Sequence, residues 1–427
     1  MRKVRFVTLG CKVNQYETQA MRESLLTKGF VEEIEGPSHV IVVNTCTVTE
    51  EADRENRYWV RRLRRENPQA KIVVTGCWVE RNRGEIESLA EVDLVLSNRE
   101  KPDLAERLFQ GCATPEAQKA GYAPLRISTF QGHARAFVKI QDGCNHACSF
   151  CKVVLVRGRS RSRRLDEIVE ETKRLQGSGY REIVLTGIQL GAYGLDLEPR
   201  LGLVSVLEAL SLVPGIERIR LSSIEPTDVK RDLIEAMKEL PKVCPQLHIP
   251  LQSGASEILK QMNRRYDRNF YLDLIGTLRC EIPDFCLSMD VMAGFPGEEE
   301  THFKHTLSAL RETRPIRVHA FPYSRRVGTR AARYENIPPE RVRDRMKRLI
   351  NFSKEIAWEE KQKFLGRTFP VLVEKKISSG GLLEGHTAHY LKVSFQGPEA
   401  DLGKSVPVKL TEMEGERLRG ILEEIRG

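Results

Sequence analysis

The sequence predicts an α/β protein in three parts. These are an N-terminal open parallel α/β sheet (1–130), a central partial (β/α)6 barrel (131–365) and a small C-terminal all-β barrel of OB type (366–427). Three observations carry the prediction. Short Val/Ile-rich runs alternate with helix-compatible stretches through most of the chain, the signature of strands buried on both faces of a parallel sheet. The chain is 427 residues long, enough for two to four domains. After residue 366 the pattern changes to short β-type runs separated by Gly- and Pro-containing turns, as in a small antiparallel barrel.

The first part opens with VRFVTLGCKVNQYE (4–17), where an apolar run stops at Gly10 and presents Cys11. A lipoprotein signal is excluded by length, since only five residues separate Arg5 from Cys11 and a secretory apolar region needs roughly 7–15. HVIVVNTC (39–46) and AKIVVTGC (70–77) repeat the design and end in Cys46 and Cys77. In open parallel sheets, ligands bind beyond the carboxyl ends of the strands. Three successive strands therefore deliver three thiols to one edge. Independent core thiols would fall anywhere along the strands, so the shared register favours a metal site, and three thiolates suit zinc, copper(I) or an iron–sulfur cluster.

The second part begins with the strand AFVKIQ and then DGCNHACSFC (142–151), which places Cys144, Cys148 and Cys151 in a CxxxCxxC spacing. An electron-carrying [4Fe–4S] cluster uses four cysteines; three leave one iron free to chelate a small molecule. A zinc knuckle completed by His146 is the alternative. EIVLTG, RIRLSS, QLHIPLQS, LSMDVMAGFPGE and VHAFPYS follow as five more strands, fewer than the eight of a closed barrel. Gln189, Ser222, Ser223, Glu225, Gln252 and Ser253 fall at strand ends and are expected to line the same mouth as the cysteine loop.

Composition bounds the function. No apolar segment reaches the ~18 residues of a membrane span, so a cytoplasmic protein without a membrane partner is expected. In that compartment the ten cysteines are not structural disulfides. The net charge of +9 lies mainly between residues 136 and 365 and fits a polyanionic partner. RGRSRSRR (157–164) follows a cluster-loop cysteine directly, which puts Arg157, Arg159, Arg161 and Arg163 forward for phosphate contacts. RYWVRRLRRE (57–66) reads instead as a solvated helix face. In the last part Lys375, Lys376, His386, His389 and Lys392 form a candidate RNA-binding patch, with Tyr390 and Phe395 available to stack on bases or to fill the core. Cys112, Cys244, Cys280 and Cys286 lack partners at ligand spacing and are expected to be plain core or surface thiols.

Over nearly its whole length the sequence resembles the radical S-adenosylmethionine (SAM) methylthiotransferases. The residues that carry the resemblance are Cys11, Cys46, Cys77, the triplet 144–151, RGRSRSR, LSSIEP, HIPLQSGA and FPYSRRVGT. LGCKVNQYE and NTCTVT are similar to the branch acting on N6-threonylcarbamoyladenosine (t6A) in tRNA, rather than on N6-isopentenyladenosine or a ribosomal-protein aspartate. The resemblance implies a radical-SAM barrel, two [4Fe–4S] clusters and SAM as cofactor. It implies that Cys144, Cys148 and Cys151 hold the cluster that binds and cleaves SAM. Cys11, Cys46 and Cys77 would hold a second cluster presenting sulfur. Phe150, Gln189, Ser222, Glu225 and Gln252 would surround SAM, and the C-terminal part would be a TRAM module. The implied partners are tRNA carrying t6A, an electron donor such as flavodoxin or ferredoxin, and a sulfur donor. Two residues depart from the usual pattern: Ala147 stands where an aromatic residue is common and Lys152 where an apolar one is. A zinc-containing RNA-binding protein without catalysis is the reading of another class.

Overall fold

The structure is a computed structural model that describes residues 1–110, 125–377 and 380–423; Cys112 lies outside the described residues. The N-terminal sheet contains β1 (Arg2–Thr8), β2 (Phe30–Glu32), β3 (Val40–Thr45), β4 (Lys71–Gly76) and β5 (Leu94–Leu96). Its order is β2-β1-β3-β4-β5, and every pairing is parallel. Val42 and Val73 face one layer of helices, Ile41, Val43, Ile72 and Val74 the other. A strand buried on both faces must be apolar at every position, which is why these runs show no alternation.

The central strands are β6 (Arg135–Lys139), β7 (Gln141–Asp142), β8 (Arg161–Ser162), β9 (Glu182–Thr186), β10 (Arg218–Leu221), β11 (Gln246–His248), β12 (Cys286–Ala293) and β13 (Arg317–Pro322). They form two parallel three-stranded halves, β10-β9-β6 and β11-β12-β13, joined by the bridges Ile219–Val243 and Ser223–His248. The result is the expected six-stranded partial barrel. Among the described residues β6 and β13 are unpaired outer strands, so the wall is open between them. The two-residue ribbon β7–β8 has no counterpart in the sequence reading, because runs that short carry no periodicity. It closes the base of the cysteine loop between residues 143 and 160.

The C-terminal strands β14 (Thr368–Lys376), β15 (Leu382–Thr387), β16 (Lys392–Gln396), β17 (Ser405–Glu414) and β18 (Arg417–Leu422) close into a barrel ordered β14-β15-β16-β18-β17. Phe395 is fully buried in its core, and His389 packs on Phe364 and Phe369 at 5.6 and 5.1 Å. Of the two roles left open for Phe395, stacking on a base or filling the core, the core is the one observed: alternation along β16 points Val393 and Phe395 inward together. The small barrel sits against the amino ends of the central strands. Arg218 donates to the carbonyls of His386 (3.0 Å) and Pro370 (2.7 Å), and Arg220 to those of Ala388 (2.9 Å) and Thr387 (3.1 Å). No helix among the described residues is long and apolar enough to cross a membrane.

Candidate metal centres and the mouth of the barrel

The first cysteine trio is made by sheet topology. β1, β3 and β4 are adjacent, and Cys11, Cys46 and Cys77 each fall within three residues of a strand end. Two glycines allow the close approach. Gly10 has φ +98°, and a Cβ there would lie 2.6 Å from the Cys46 Cβ. Gly76 has φ +104°, and its Cβ would lie 2.3 Å from the Thr45 carbonyl oxygen. Only glycine takes such a backbone without strain. Asn14 fixes the trio from beneath, donating to the carbonyls of Leu9 (2.8 Å) and Thr45 (3.0 Å), while Asn56 donates to that of Cys46 (2.6 Å). Burial, reinforced by the neighbouring Cys77 and Cys11 thiols, pushes the Cys46 thiol up to about 12. Burial also raises Cys77, against the pull of Arg157 and Lys101.

The second trio is made by one loop. Gly143 has φ +75°, and a Cβ there would meet the Arg159 carbonyl at 2.1 Å. The Cys144 amide donates to the Gly158 carbonyl at 3.0 Å. Each sulfur receives a donor: the His146 amide reaches Cys144 (3.3 Å), the Val153 amide Cys151 (3.4 Å), and the Arg264 guanidinium Cys148 (3.3 Å). Burial pushes Cys144 up to about 11 and Cys151 to about 12. Thiols held this high lose their protons to a metal rather than to water, and N–H donors aimed at sulfur are among the levers that set a cluster's potential.

The mouth around this loop has orphaned polar atoms. Among the described residues the Ser222 hydroxyl and the side-chain amide oxygen of Gln252 are buried without a hydrogen-bond partner. Such atoms are expensive to leave unmatched, so they fit a polar small molecule at the strand ends. Gln252 sits there with φ +63°, a conformation rarely adopted by a side-chain-bearing residue and characteristic of functional positions. Gln189 accepts from the Asn145 amide (3.2 Å) and contacts the His146 ring (2.9 Å). Glu225 pairs with Arg264 at 2.6 Å. Phe150 packs edge-on against Phe295, ring centres 6.5 Å apart, and thereby pins the loop to the barrel wall. Arg264 and Asn263, which donates to the Ala147 carbonyl at 2.7 Å, escaped the sequence reading; they lie far along the chain and carry no spacing motif.

A buried polar junction links the segment after the second cysteine loop to Cys77 of the first trio. Arg157 donates from Nε to the Cys77 sulfur (3.3 Å) and from Nη2 to Asn14 (2.7 Å), and it pairs with Glu17 and Asp142. Lys139 pairs with Glu17 (2.6 Å) and Asp142 (2.8 Å), and Lys101 with Glu17. Burial alone would raise the Glu17 carboxyl, yet Arg157, Lys101 and Lys139 hold it well below the usual range. This corrects two of the four arginine assignments. Arg157 is buried here, and Arg163 is buried against Glu171 at 2.7 Å; neither reaches a phosphate. Arg161 is half-buried and Arg159 exposed. Lys375 and Lys392 both pair with Glu384 (3.2 and 3.0 Å), and Lys376 with Glu399 (2.7 Å), so this patch is partly neutralised. Arg326 makes a second tie to the N-terminal domain, donating to the Thr47 carbonyl and the Asp53 carboxylate, each at 2.7 Å. Cys244 and Cys286 are buried core thiols and Cys280 is exposed.

A three-thiol loop at the carboxyl ends of a partial parallel barrel defines a radical SAM protein. Family models agree: the Radical SAM superfamily matches residues 138–310, the Uncharacterized protein family UPF0004 residues 3–97 and the TRAM domain residues 362–422. Threonylcarbamoyladenosine tRNA methylthiotransferase MtaB of Chlamydia pneumoniae is 40% identical over 421 residues, 97% of each chain. Its namesake in Bacillus subtilis is 36% identical, over 100% of this chain and 98% of that one. A tRNA-2-methylthio-N(6)-dimethylallyladenosine synthase of Clostridium botulinum (strain Okra / Type B1) is 35% identical, over 97% of this chain and 95% of the relative. Among solved structures, the radical S-adenosylmethionine methyltransferase TsrM of Kitasatospora setae shares the fold, with a TM-score of 0.52 at 15% identity over 75% of each chain. The chain belongs to the radical SAM tRNA methylthiotransferases.

Proposed function

We propose that the chain converts t6A, 3′ to the anticodon of tRNA, into its 2-methylthio derivative. Cys144, Cys148 and Cys151 hold the cluster that takes SAM, and Cys11, Cys46 and Cys77 hold the second. Bound there, these groups supply what side chains cannot: a radical able to open an aromatic C–H bond, and a transferable sulfur. The observation that carries the reading is the junction itself, where Arg157 reaches from the end of one cysteine loop to a sulfur of the other trio.

The chain's own residues supply position. Ser222, Gln252 and Gln189 offer polar atoms to SAM at the barrel mouth, and Arg264 orients Glu225 there. The domain carrying Cys11 is held to the barrel through Glu17, which pairs with Lys139 and Arg157. Exposed Arg159 and the rim lysines 375, 376 and 392 steer RNA by charge. We further infer a cytoplasmic location, 1–130, 131–365 and 366–427 as the domain limits, a flavodoxin or ferredoxin as electron donor, and a separate sulfur donor. Nucleoside mass spectrometry of tRNA from a strain lacking the gene tests the substrate. The 2-methylthio form of t6A should be absent, and return with the native gene but not with Cys11→Ala. Loss of a methylthiolated isopentenyladenosine instead would refute the assignment.

A further inference from the structure

The gap between β6 and β13 opens into a groove of about 1120 Å³ whose walls include Arg135, Arg317, His319 and Tyr390. Behind it positive charge accumulates. The guanidiniums of Arg220, Arg135 and Arg317 lie 4.9, 5.3 and 6.0 Å from the Tyr390 ring. Two of them are matched: Arg220 pairs with Glu182 at 2.7 Å and Arg135 with Glu374 at 3.1 Å. Arg317 and Lys12 differ, for among the described residues neither has a carboxylate within ion-pairing distance. The Lys12 ammonium lies 5.9 Å from the Phe137 ring on β6. Burial disfavours this ammonium most; the Tyr390 hydroxyl favours it, and the same three guanidiniums disfavour it. A half-buried ammonium among like charges is unfavourable unless an anion joins it.

Lys12 directly follows Cys11, so this anion site adjoins the first cysteine trio. Threonine attached through its nitrogen to a carbamoyl group keeps a free carboxylate. Carbon 2 and N6 of adenine lie on the same edge of the ring, so a base with carbon 2 near the trio carries that carboxylate close to it. An isopentenyl substituent has no charge to offer. A backbone phosphate is the other source of the same chemistry. We propose that Lys12 and Arg317 receive the threonyl carboxylate of the modified adenosine and so select t6A. The proposal rests on the substrate reading given above.

The test compares three anticodon stem-loop RNAs: one with t6A, one with its threonyl methyl ester and one with plain adenosine. Fluorescence anisotropy with the reconstituted protein reads Kd. The acid should bind roughly tenfold tighter than the ester, as a charge-assisted contact implies. Lys12→Gln and Arg317→Gln should each bring the acid toward the ester while leaving the ester unchanged, and Lys12→Arg should retain the preference. Equal binding of acid and ester by the native protein would overturn the proposal, whatever the variants do. So would parallel weakening of all three RNAs in variants with native iron content, since phosphates would then occupy the cations. Product analysis separates the two failures. Equal methylthiolation of acid and ester leaves the substrate reading standing without the carboxylate contact. Product from an isopentenyladenosine RNA, with none from t6A, removes the reading itself.

Discussion

The two cysteine trios are built by opposite constructions. Cys144, Cys148 and Cys151 span eight residues of one loop and are held by donors to each sulfur. Cys11, Cys46 and Cys77 are strung over 67 residues and come to one sheet edge because β1, β3 and β4 are neighbours. The loop trio depends on local backbone geometry and could survive damage to the sheet. The sheet trio exists only while two crossovers and two tight glycines are in place. Local sites are encoded where they are seen; topological sites are encoded by the whole domain.

The largest effect that would break this contrast concerns the cysteines. With all six in place, anaerobic reconstitution should load about eight iron atoms per chain. Changing Cys144, Cys148 and Cys151 together to Ala should leave about four and abolish SAM cleavage. Cys11→Ala should keep SAM cleavage while product per 5′-deoxyadenosine falls to nothing. Near-normal coupling in Cys11→Ala would mean that the sheet trio is structural only.

Next comes the junction. Arg157→Gln leaves the Glu17 and Asp142 carboxylates short of a partner, and breaking a buried pair on one side costs about 3–5 kcal/mol. The unfolding midpoint in urea should fall accordingly, with no change in the salt dependence of RNA binding. The junction should also be acid-sensitive. The Glu17 carboxyl is held below its usual range in the folded chain. Its stabilisation is therefore complete above the unfolded value of about 4.3 and is lost as pH falls through the depressed folded value. Acid unfolding should begin at higher pH in Arg157→Gln than in the native chain.

Gly76→Ala tests the sheet trio alone. A left-handed backbone position costs about 1–3 kcal/mol for a side-chain-bearing residue, and here the new methyl meets the Thr45 carbonyl. Iron should fall toward four atoms per chain while SAM cleavage persists; loss of both sites would show that the loop trio depends on the sheet. The smallest effect belongs to Arg159→Ala, which should lower the salt slope of RNA binding by about one unit and leave iron content untouched.

What the sequence disclosed follows the same division. The strands were legible because burial on both faces forces uninterrupted Val and Ile, and the cysteine register followed from where those runs stop. The arginine run misled because RGRSRSRR shows charge but not partners. Glu17 lies 140 residues before Arg157, and nothing local marks them as a pair. Phe395 and Tyr390 looked alike as aromatics of the last domain. Alternation along β16 buries one, whereas a turn at φ +66° sends the other toward the guanidiniums. Arg264 was invisible for the opposite reason to the cysteines: it serves a loop more than a hundred residues away and repeats no motif.

The way the C-terminal barrel is seated bears on how such chains diverge. Arg218 and Arg220 spend most of their contacts to it on main-chain carbonyls of His386, Pro370, Ala388 and Thr387. A carbonyl is the same acceptor whatever side chain stands beside it. The outer face of that barrel is therefore free to accumulate substitutions, exchanging one set of RNA contacts for another, without loosening its attachment to the catalytic core.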